Sequence, residues 1–159
     1  MNPFPGPPSF HAATPEDGDL LLSLMREYYA VDGLSFDAPR ADAAVRALLS
    51  GEANGRAWII MIGGNAAGYA VLTRCFSLEF GGVFGLLDEF FVREEYRGRG
   101  IGSAALAFLK ERCREESFGA LRLEVETHNA GAARLYTREG FLSHDRLLMT
   151  YRLPADPCL

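Results

Sequence analysis

The residues best suited to chemistry lie in one stretch, 86–103, which reads L-L-D-E-F-F-V-R-E-E-Y-R-G-R-G-I-G-S. Its second half alternates Arg97 and Arg99 with glycines at positions 98, 100 and 102. Glycines let the backbone turn tightly and let a ligand come close to its amides. A helix that starts here presents unpaired N–H groups and a positive dipole end, and arginine adds planar donors that suit phosphate. The spacing therefore predicts a phosphate-binding turn.

Two carboxylates, Asp88 and Glu89, interrupt the apolar run that precedes this turn. Residues 86–92 are otherwise bulky and apolar, which is typical of a strand buried on both faces. Because burying an acid without a partner is costly, acids at this place indicate a role in a site. Neighbouring residues on a strand point to opposite faces, so we expect at most one of the two to face a given pocket. An exposed pair of charges at a strand edge is the plainer alternative.

The elements that must position this stretch follow from the hydrophobic pattern, which changes between a helical and a strand period. Thr14 and Pro15 are typical of a helix start, and Gly33 of a helix end. The predicted order is an edge strand over 9–13, helices over 14–33 and 39–51, strands over 57–62, 68–76 and 86–92, a helix over 101–116, a strand over 120–126, a helix over 130–139, and strands over 141–144 and 147–153. No repeat or linker divides them, so we expect a proline-rich leader over 1–8, one domain over 9–153 and a tail over 154–159.

Composition narrows the class of protein and its partners. The net charge of −5 argues against nucleic acid and is compatible with a cationic substrate. The three cysteines, Cys75, Cys113 and Cys158, are too few and too widely spaced for a disulfide framework or a zinc site. No stretch approaches the ~20 apolar residues of a membrane span, and no secretory signal is visible. We therefore expect a cytoplasmic protein that binds no metal and no membrane.

A second motif follows the last long helix. It reads N-x-x-A-x-x-x-Y-x-x-x-G-F and consists of Asn129, Ala132, Tyr136, Gly140 and Phe141. With R-x-x-G-x-G in the phosphate-binding turn before it, this chain resembles the GNAT acetyltransferase superfamily from residue 14 to residue 153. The resemblance implies an α/β (α+β) fold. Its sheet is mixed and mostly antiparallel, with about six to seven strands flanked by about four helices and splayed at the cofactor site.

The resemblance also implies acetyl-CoA as co-substrate, held where the strands ending at Val92 and Glu126 splay apart. The pyrophosphate is expected on the amides of 98–103, and the pantetheine along the strand near Phe91. Asn129 matches the residue that contacts the pantetheine, although it is equally well placed to cap a helix. The implied cofactor-binding residues are Phe91, Val92, Arg97, Gly98, Arg99, Gly100, Ile101, Gly102, Ser103 and Asn129.

Acetyl transfer to an amine requires an acid and a base. An amine with a pKa of about 10.4 arrives protonated, and a leaving thiolate with a thiol pKa of about 8.5 benefits from a proton donor. Tyr136 matches the family's acid; a packed aromatic is the alternative. Glu89 is the first candidate for the base and Asp88 the second. Asp88, Tyr28 and Glu79 are candidates for binding the substrate.

The order D-E-F-F-V followed by R-G-x-G-I-G-S is locally similar to the polyamine and thialysine N-acetyltransferase branch. We therefore expect direct transfer from acetyl-CoA to a small cationic amine in a ternary complex, and the family habit suggests a homodimer. Three alternatives remain at this point. They are an acetyltransferase for a protein N-terminus or lysine, a non-catalytic acyl-CoA-binding regulatory module, and a nucleotide-binding domain. The glycine-rich turn of this chain argues against the last of these, because it lacks the Lys-Ser/Thr of a P-loop.

Overall fold

The structure, a computed structural model, describes residues 6–151 and 153. Within these residues the chain forms one five-stranded sheet flanked by four helices. Most of the expected leader, residues 1–5, and the whole expected tail, 154–159, lie outside the described residues. No helix of the described part is both long and apolar enough to cross a membrane.

The strands lie in the sheet in the order in which they occur along the chain. They are β1 (Ser9–Ala12), β2 (Gly55–Ile62), β3 (Asn65–Ser77), β4 (Gly82–Val92) and β5 (Leu121–Leu123). All neighbouring pairs are antiparallel except β4 and β5, which are parallel. The expected mixed, mostly antiparallel sheet is therefore confirmed.

The helices are α1 (Gly18–Asp32), α2 (Ala38–Ser50), α3 (Ile101–Glu115) and α4 (Ala130–Arg138). Their ends agree with the predicted bounds to within one residue, except that the predicted start of the first helix, at 14–17, is a separate 3-10 turn. Before α1, the backbone N–H of Thr14 donates to the Asp17 carboxylate at 2.8 Å across a 3-10 turn, Pro15–Asp17. Asp37 caps α2, and glycines in the left-handed conformation end α1 and α2.

The sheet separates two apolar layers. On one face, α1 and α2 pack their buried side chains against β2, β3 and Phe91 of β4. On the other face, α3 packs against the opposite side of the same strands, and α4 adds Leu135 and Tyr136. Cys113 is buried on α3, and burial raises the pKa of its thiol to about 11. Cys75 and Cys113 are free thiols, while Cys158 lies outside the described residues.

The sheet has fewer strands than the expected six to seven. The prediction of strands over 141–144 and 147–153 is wrong for the described residues, none of which pairs in a ladder. Their backbone groups meet no neighbouring strand within the molecule, and β-branched or aromatic composition alone cannot supply one. The strand predicted over 120–126 is also shorter: its ladder with β4 ends at the pair Leu87 and Leu123, directly before the irregularity of β4 at Asp88.

Candidate functional site

An opening in the sheet lies where β4 and β5 part. Their parallel pairing covers only three steps, from Gly85 opposite Leu121 to Leu87 opposite Leu123. The rest of β4, residues 88–92, pairs with β3 on one side and has no β5 residue opposite it on the other. Backbone N–H and C=O groups of β4 therefore face this opening, and such groups seek a hydrogen-bonding partner. The expected splay is at this place.

A bulge in β4 accompanies the opening. Val71 of β3 pairs with Glu89 and Leu72 with Leu87, which leaves Asp88 without an opposing residue. Leu87 consequently packs on the α3 side of the sheet, whereas Glu89 points to the α1 side. The expectation that Asp88 and Glu89 occupy opposite faces assumed unbroken alternation, and the bulge removes that alternation.

Glu89 is held by two tyrosine hydroxyls. Tyr29 of α1 donates to Oε1 at 2.7 Å, and the fully buried Tyr69 of β3 donates to Oε2 at 2.8 Å. Burial raises the pKa of Glu89, and the two donated hydrogen bonds oppose this rise by stabilising the carboxylate. The carboxylate therefore has a fixed orientation at the start of the opening, as a general base requires.

Tyr136 approaches the same region from α4. It packs against Phe141 with ring centroids 5.8 Å apart, and burial followed by the charge of Asp32 raises the pKa of its phenol. Such a phenol keeps its proton at neutral pH and can act as a donor. Its alternative role as a packed aromatic is also fulfilled, because Tyr136 contacts the cluster on the α3 side.

Tyr28 lies on α1, close to Glu89. Its ring packs on Phe91 at 5.7 Å between centroids, and its hydroxyl interacts with Asp32 one turn later on α1. Burial raises the pKa of Tyr28 to about 12, with further contributions from Asp32, Glu89 and Tyr136. Tyr136 contacts the apolar cluster on the α3 side and is close enough to influence the pKa of Tyr28. The Tyr28 ring also lies 5.7 Å from that of Tyr29, which donates to Glu89, so Tyr28 and Glu89 are neighbours in one cluster.

Asp88 and Glu79 differ in their relation to this cluster. Asp88 lies beside it with an exposed side chain, and partial desolvation raises the pKa of its carboxyl. Glu79 lies beyond the opposite end of β4, and the seven residue steps from Gly82 to Glu89 alone span roughly 24 Å at ~3.4 Å each. There it forms an ion pair with Arg146, which lowers the pKa of Glu79. The structure does not bring Glu79 to the cluster.

The glycine-rich turn has the backbone that the sequence predicts. Gly98 and Gly100 have positive φ values of 73° and 78°, which side chains resist, and α3 begins directly after Gly100. Gly102 is needed for a different reason. A Cβ at this position would lie 2.8 Å from Cδ2 of Leu135, so the missing side chain lets α3 and α4 pack closely. The amides of 101–103 remain the helix start available to an anion.

The arginines of the turn are held by its own framework. Arg97 donates through Nε to the Val92 carbonyl at 2.7 Å, and its guanidinium lies 5.8 Å from the Phe91 ring centroid. Arg138, at the end of α4, donates to the Ser103 hydroxyl at 3.3 Å. Arg138 thus adds positive charge at the start of α3, although the sequence analysis did not select it.

Asn129 caps α4, since its Oδ1 accepts a hydrogen bond from the Ala132 amide at 3.0 Å. The capping role expected as an alternative is confirmed. The residue also stands at the turn that leads from β5 to α4, on the side of the opening.

Besides Arg138, sequence reasoning missed Asp32, Gly68 and Tyr69. Asp32 carries a usable signal, because an acid in the last turn of a helix opposes the negative dipole end. Gly68 carries a weaker one: a Cβ there would lie 2.0 Å from the Phe91 carbonyl oxygen, so only glycine lets β3 run this close to β4. Tyr69 had no signal that distinguishes it from a packed aromatic, because its partner Glu89 is 20 residues away.

Comparison with known proteins places these features in a family context. The sequence model described as the acetyltransferase (GNAT) family matches residues 20–141. No curated protein matches the sequence significantly. The chain is 36% identical to an integron cassette protein from the mobile metagenome of Cole Harbour Salt Marsh, with a TM-score of 0.81 over 92% of this chain and 91% of that chain.

Two other solved structures share the fold at low identity. A predicted acetyltransferase from Clostridium acetobutylicum, solved with acetyl-CoA, is 16% identical, with a TM-score of 0.76 over 91% of this chain and 96% of that chain. An aminoglycoside N-acetyltransferase in complex with CoA is 14% identical, with a TM-score of 0.77 over 96% of this chain and 99% of that chain.

Proposed function

Because the chain belongs to the GNAT acetyltransferase family, we propose that it transfers the acetyl group of acetyl-CoA to a small cationic amine. One observation carries the proposal. Glu89, oriented by two hydroxyls, lies next to Tyr28 beside the opening between β4 and β5, and Tyr136, a phenol with a raised pKa, is close enough to influence the pKa of Tyr28. A base for an amine and an acid for a thiolate are the two groups that this transfer requires.

The residues around the opening suit a CoA thioester. The amides at the start of α3, with Arg97, Arg99 and Arg138 nearby, would hold the pyrophosphate. The β5-facing edge of residues 88–92 would pair with the amide groups of the pantetheine. When bound there, acetyl-CoA supplies the electrophilic acetyl carbon and a thiolate leaving group.

The base step falls to Glu89. A substrate ammonium loses a proton to Glu89, directly or through a water, and the free amine then attacks the thioester carbonyl carbon. The hydrogen bonds from Tyr29 and Tyr69 favour the ionised carboxylate and so oppose the effect of its burial. A backbone N–H near Phe91 or Val92, freed by the splay, would stabilise the negative charge that develops on the carbonyl oxygen.

The acid step falls to Tyr136. As the bond from carbon to sulfur breaks, the phenol gives its proton to the departing sulfur and later regains one from solvent. The raised pKa of Tyr136 means that the hydroxyl is protonated before each cycle. No acyl-enzyme is needed, because the amine and the thioester meet in one ternary complex.

Negative charge supports a cationic acceptor. Asp32, Asp88 and Glu89 lie around the cluster, and the whole chain carries a net charge of −5. An amine with a second positive charge could leave one nitrogen at Glu89 and place the other near Asp32 or Asp88. The local likeness to the polyamine and thialysine branch and the fold shared with an aminoglycoside N-acetyltransferase support the same class.

A panel of acceptors tests the proposal by measuring thiol release from acetyl-CoA. The panel contains monoamines, diamines and longer polyamines, aminoglycosides, and peptides with a free N-terminus or a lysine. We expect the highest kcat/KM for small amines with a second positive charge. Release with peptides alone would overturn the acceptor class. A panel that is negative throughout, with CoA still bound, would instead establish a non-catalytic acyl-CoA-binding module.

A further inference from the structure

Three consecutive residues of α1 contact three alternating residues at the end of β4 and directly after it. The contacting pairs are Tyr29 with Glu89, Tyr28 with Phe91, and Glu27 with Arg93. Successive residues of a helix point about 100° apart, so Tyr28 faces the sheet while Glu27 and Tyr29 project on its two sides. Alternating residues of a strand share one face. α1 therefore crosses β4, and one apolar contact and two polar contacts define where it lies.

Arg93 connects α1 to the end of β4 through two parallel hydrogen bonds. Its Nε donates to Oε2 of Glu27 at 2.7 Å, and its Nη2 donates to Oε1 at 2.6 Å. Two bonds to one carboxylate set the direction of approach as well as the distance. The hydrogen bonds from Arg93 also lower the pKa of Glu27, so the pair is ionised at neutral pH.

The Arg93 guanidinium is itself attached to the sheet. Its Nη1 donates to the Ala66 carbonyl at 2.6 Å, and the Arg93 amide donates to the Ala67 carbonyl at 2.8 Å. Both carbonyls belong to β3, which pairs with β4 along its length. Arg93 therefore offers Glu27 a partner whose position is determined by the sheet.

The hydrogen bond from Tyr29 to Glu89 depends on where α1 lies. It measures 2.7 Å, and such O–H···O bonds in proteins fall between about 2.5 and 3.0 Å. A movement of α1 by about 1 Å would therefore loosen it. The second donor, Tyr69, is not exposed to this movement, because it lies in β3 beside β4.

We propose that Glu27 and Arg93 are positioning residues of the site, whose ion pair holds α1 over β4 at the place where Tyr29 donates to Glu89. Their side chains are 39% and 26% exposed, and an ion pair this accessible contributes little to stability. Its effect is therefore expected at Glu89. The inference rests on the proposed function where it takes Glu89 as the base.

The test follows the Glu89 carboxyl by carbon NMR as a function of pH, in protein containing glutamate labelled at its carboxyl carbon. Glu89→Gln identifies the signal. Glu27→Met breaks both hydrogen bonds to Arg93, whereas Glu27→Gln keeps an amide oxygen that can accept one of them. We expect the pKa of Glu89 to rise in Glu27→Met, by up to the roughly one unit expected for loss of the Tyr29 hydroxyl itself, and to rise less in Glu27→Gln.

The direction of the change separates position from charge. Both variants remove one negative charge and leave the positive charge of Arg93 unpaired, and each of these effects would lower the pKa of Glu89. A rise therefore reports a lost hydrogen bond, while a fall or no change in Glu27→Met would overturn the proposal. The variants keep the other titratable groups that interact with Glu89, which are Tyr28, Tyr29, Tyr69 and Asp88.

The Tyr29→Phe background provides the second measurement. It has no hydroxyl at residue 29 whose hydrogen bond could loosen, so Glu27→Met is expected to cause no further rise in the pKa of Glu89. A rise of the same size in both backgrounds would overturn the proposal, because Glu27 would then act by another route.

Glu116→Met is the matched control, since it breaks a different ion pair between a helix and the sheet. Glu116 follows α3 on the other face of the sheet and binds Arg56 and Arg74, each at 3.2 Å. We expect the pKa of Glu89 to be unchanged in this variant. A rise as large as that in Glu27→Met would show a general loosening of the fold and would count against the proposal.

The acidic limb of kcat/KM distinguishes this inference from the proposed function. If Glu89 is the base, the limb moves with the pKa measured by NMR in every variant. A pKa that rises while the limb stays in place would support the positioning role and show that Glu89 is not the base. A pKa that does not rise in Glu27→Met overturns the positioning role, whatever the activity.

Discussion

Glu89 is subject to two opposed influences that can be separated experimentally. Burial disfavours its charge, whereas the hydroxyls of Tyr29 and Tyr69 favour it. The net pKa lies above the ordinary value for glutamate, so the carboxyl ionises later than an exposed one as the pH rises. Activity that depends on ionised Glu89 is therefore present at high pH and lost as the pH falls through the raised pKa.

Tyr29→Phe tests this balance. Removing the hydroxyl takes one donor from the carboxylate and leaves the burial, so the pKa of Glu89 rises further. We expect the acidic limb of the kcat/KM profile to move up by about one pH unit with one acceptor used throughout. Tyr28→Phe is the matched control, since the Tyr28 hydroxyl interacts with Asp32 rather than donating to Glu89. If the acidic limb of kcat/KM lies at the same pH in wild type and in Tyr29→Phe, Glu89 is not the base.

Tyr136→Phe tests the proposed acid. Phenylalanine keeps the packing against Phe141 and removes the proton that the leaving sulfur needs. We expect kcat to fall by roughly 10²-fold, the lower range for loss of a general acid, with the Kd of CoA nearly unchanged. Steady-state turnover gives kcat, and calorimetric titration with CoA gives the Kd. An unchanged kcat would leave Tyr136 a purely structural aromatic.

For single residues, the sequence indicated which residue types are candidates for the site, but it did not indicate the side chains with which they interact. Glu89 was recognisable because an acid interrupts an apolar strand, and Tyr136 because of its spacing from Asn129. Which hydroxyls hold Glu89 depends on the packing of α1 against β3 and β4, and no local pattern encodes that contact. The influence of Asp32 on Tyr136 likewise arises between elements that are distant along the chain.

The contact between α3 and α4 determines how firmly the phosphate-binding turn is supported. Gly102 faces Leu135 at a distance that excludes a side chain, so a change at either residue moves one helix against the other. Because Tyr136 follows Leu135, this contact also connects the turn to the proposed acid. The two halves of the site are thus positioned by one helix pair.

Gly102→Ala is expected to lower the free energy of unfolding by about 1 kcal/mol, because its Cβ would overlap Leu135. Gly131→Ala is the matched control: it also lies in the first turn of a helix, and its Cβ would meet only Asn129 Oδ1 at 3.8 Å. We expect it to raise stability by about 0.5 kcal/mol. Urea denaturation measures both. If Gly102→Ala costs as much in a Leu135→Ala background as in wild type, Leu135 is not the cause.

Element types and order followed from the hydrophobic period and from residues typical of helix ends, such as Pro15 and Gly33, which act locally. Three features did not follow. The bulge at Asp88 and the early end of β5 depend on how two distant strands meet, and one sequence does not record that register. The last predicted strands lack a partner among the residues that the structure describes, and a strand needs one to form.

At the scale of the whole molecule, charge decides which substrates the protein attracts. The net charge of −5 repels anions, while the arginines near the start of α3 reverse this locally for phosphate. A dicationic acceptor is attracted both by the whole chain and by the acids of the site. Raising NaCl from about 50 to about 500 mM is therefore expected to increase its KM more than that of a monocationic acceptor. Equal increases for the two acceptors would contradict the proposed role of the acids.

The structure of the complex with CoA tests the central claim most directly, because it shows which groups surround the sulfur. The account predicts pantetheine in the opening between β4 and β5, pyrophosphate on the amides at the start of α3, and the sulfur within hydrogen-bond distance of the Tyr136 hydroxyl. It also predicts that the Glu89 carboxylate lies on the acceptor side of the sulfur, still bound by Tyr29 and Tyr69. A sulfur remote from Tyr136, or pantetheine bound outside the opening, would contradict the proposed site.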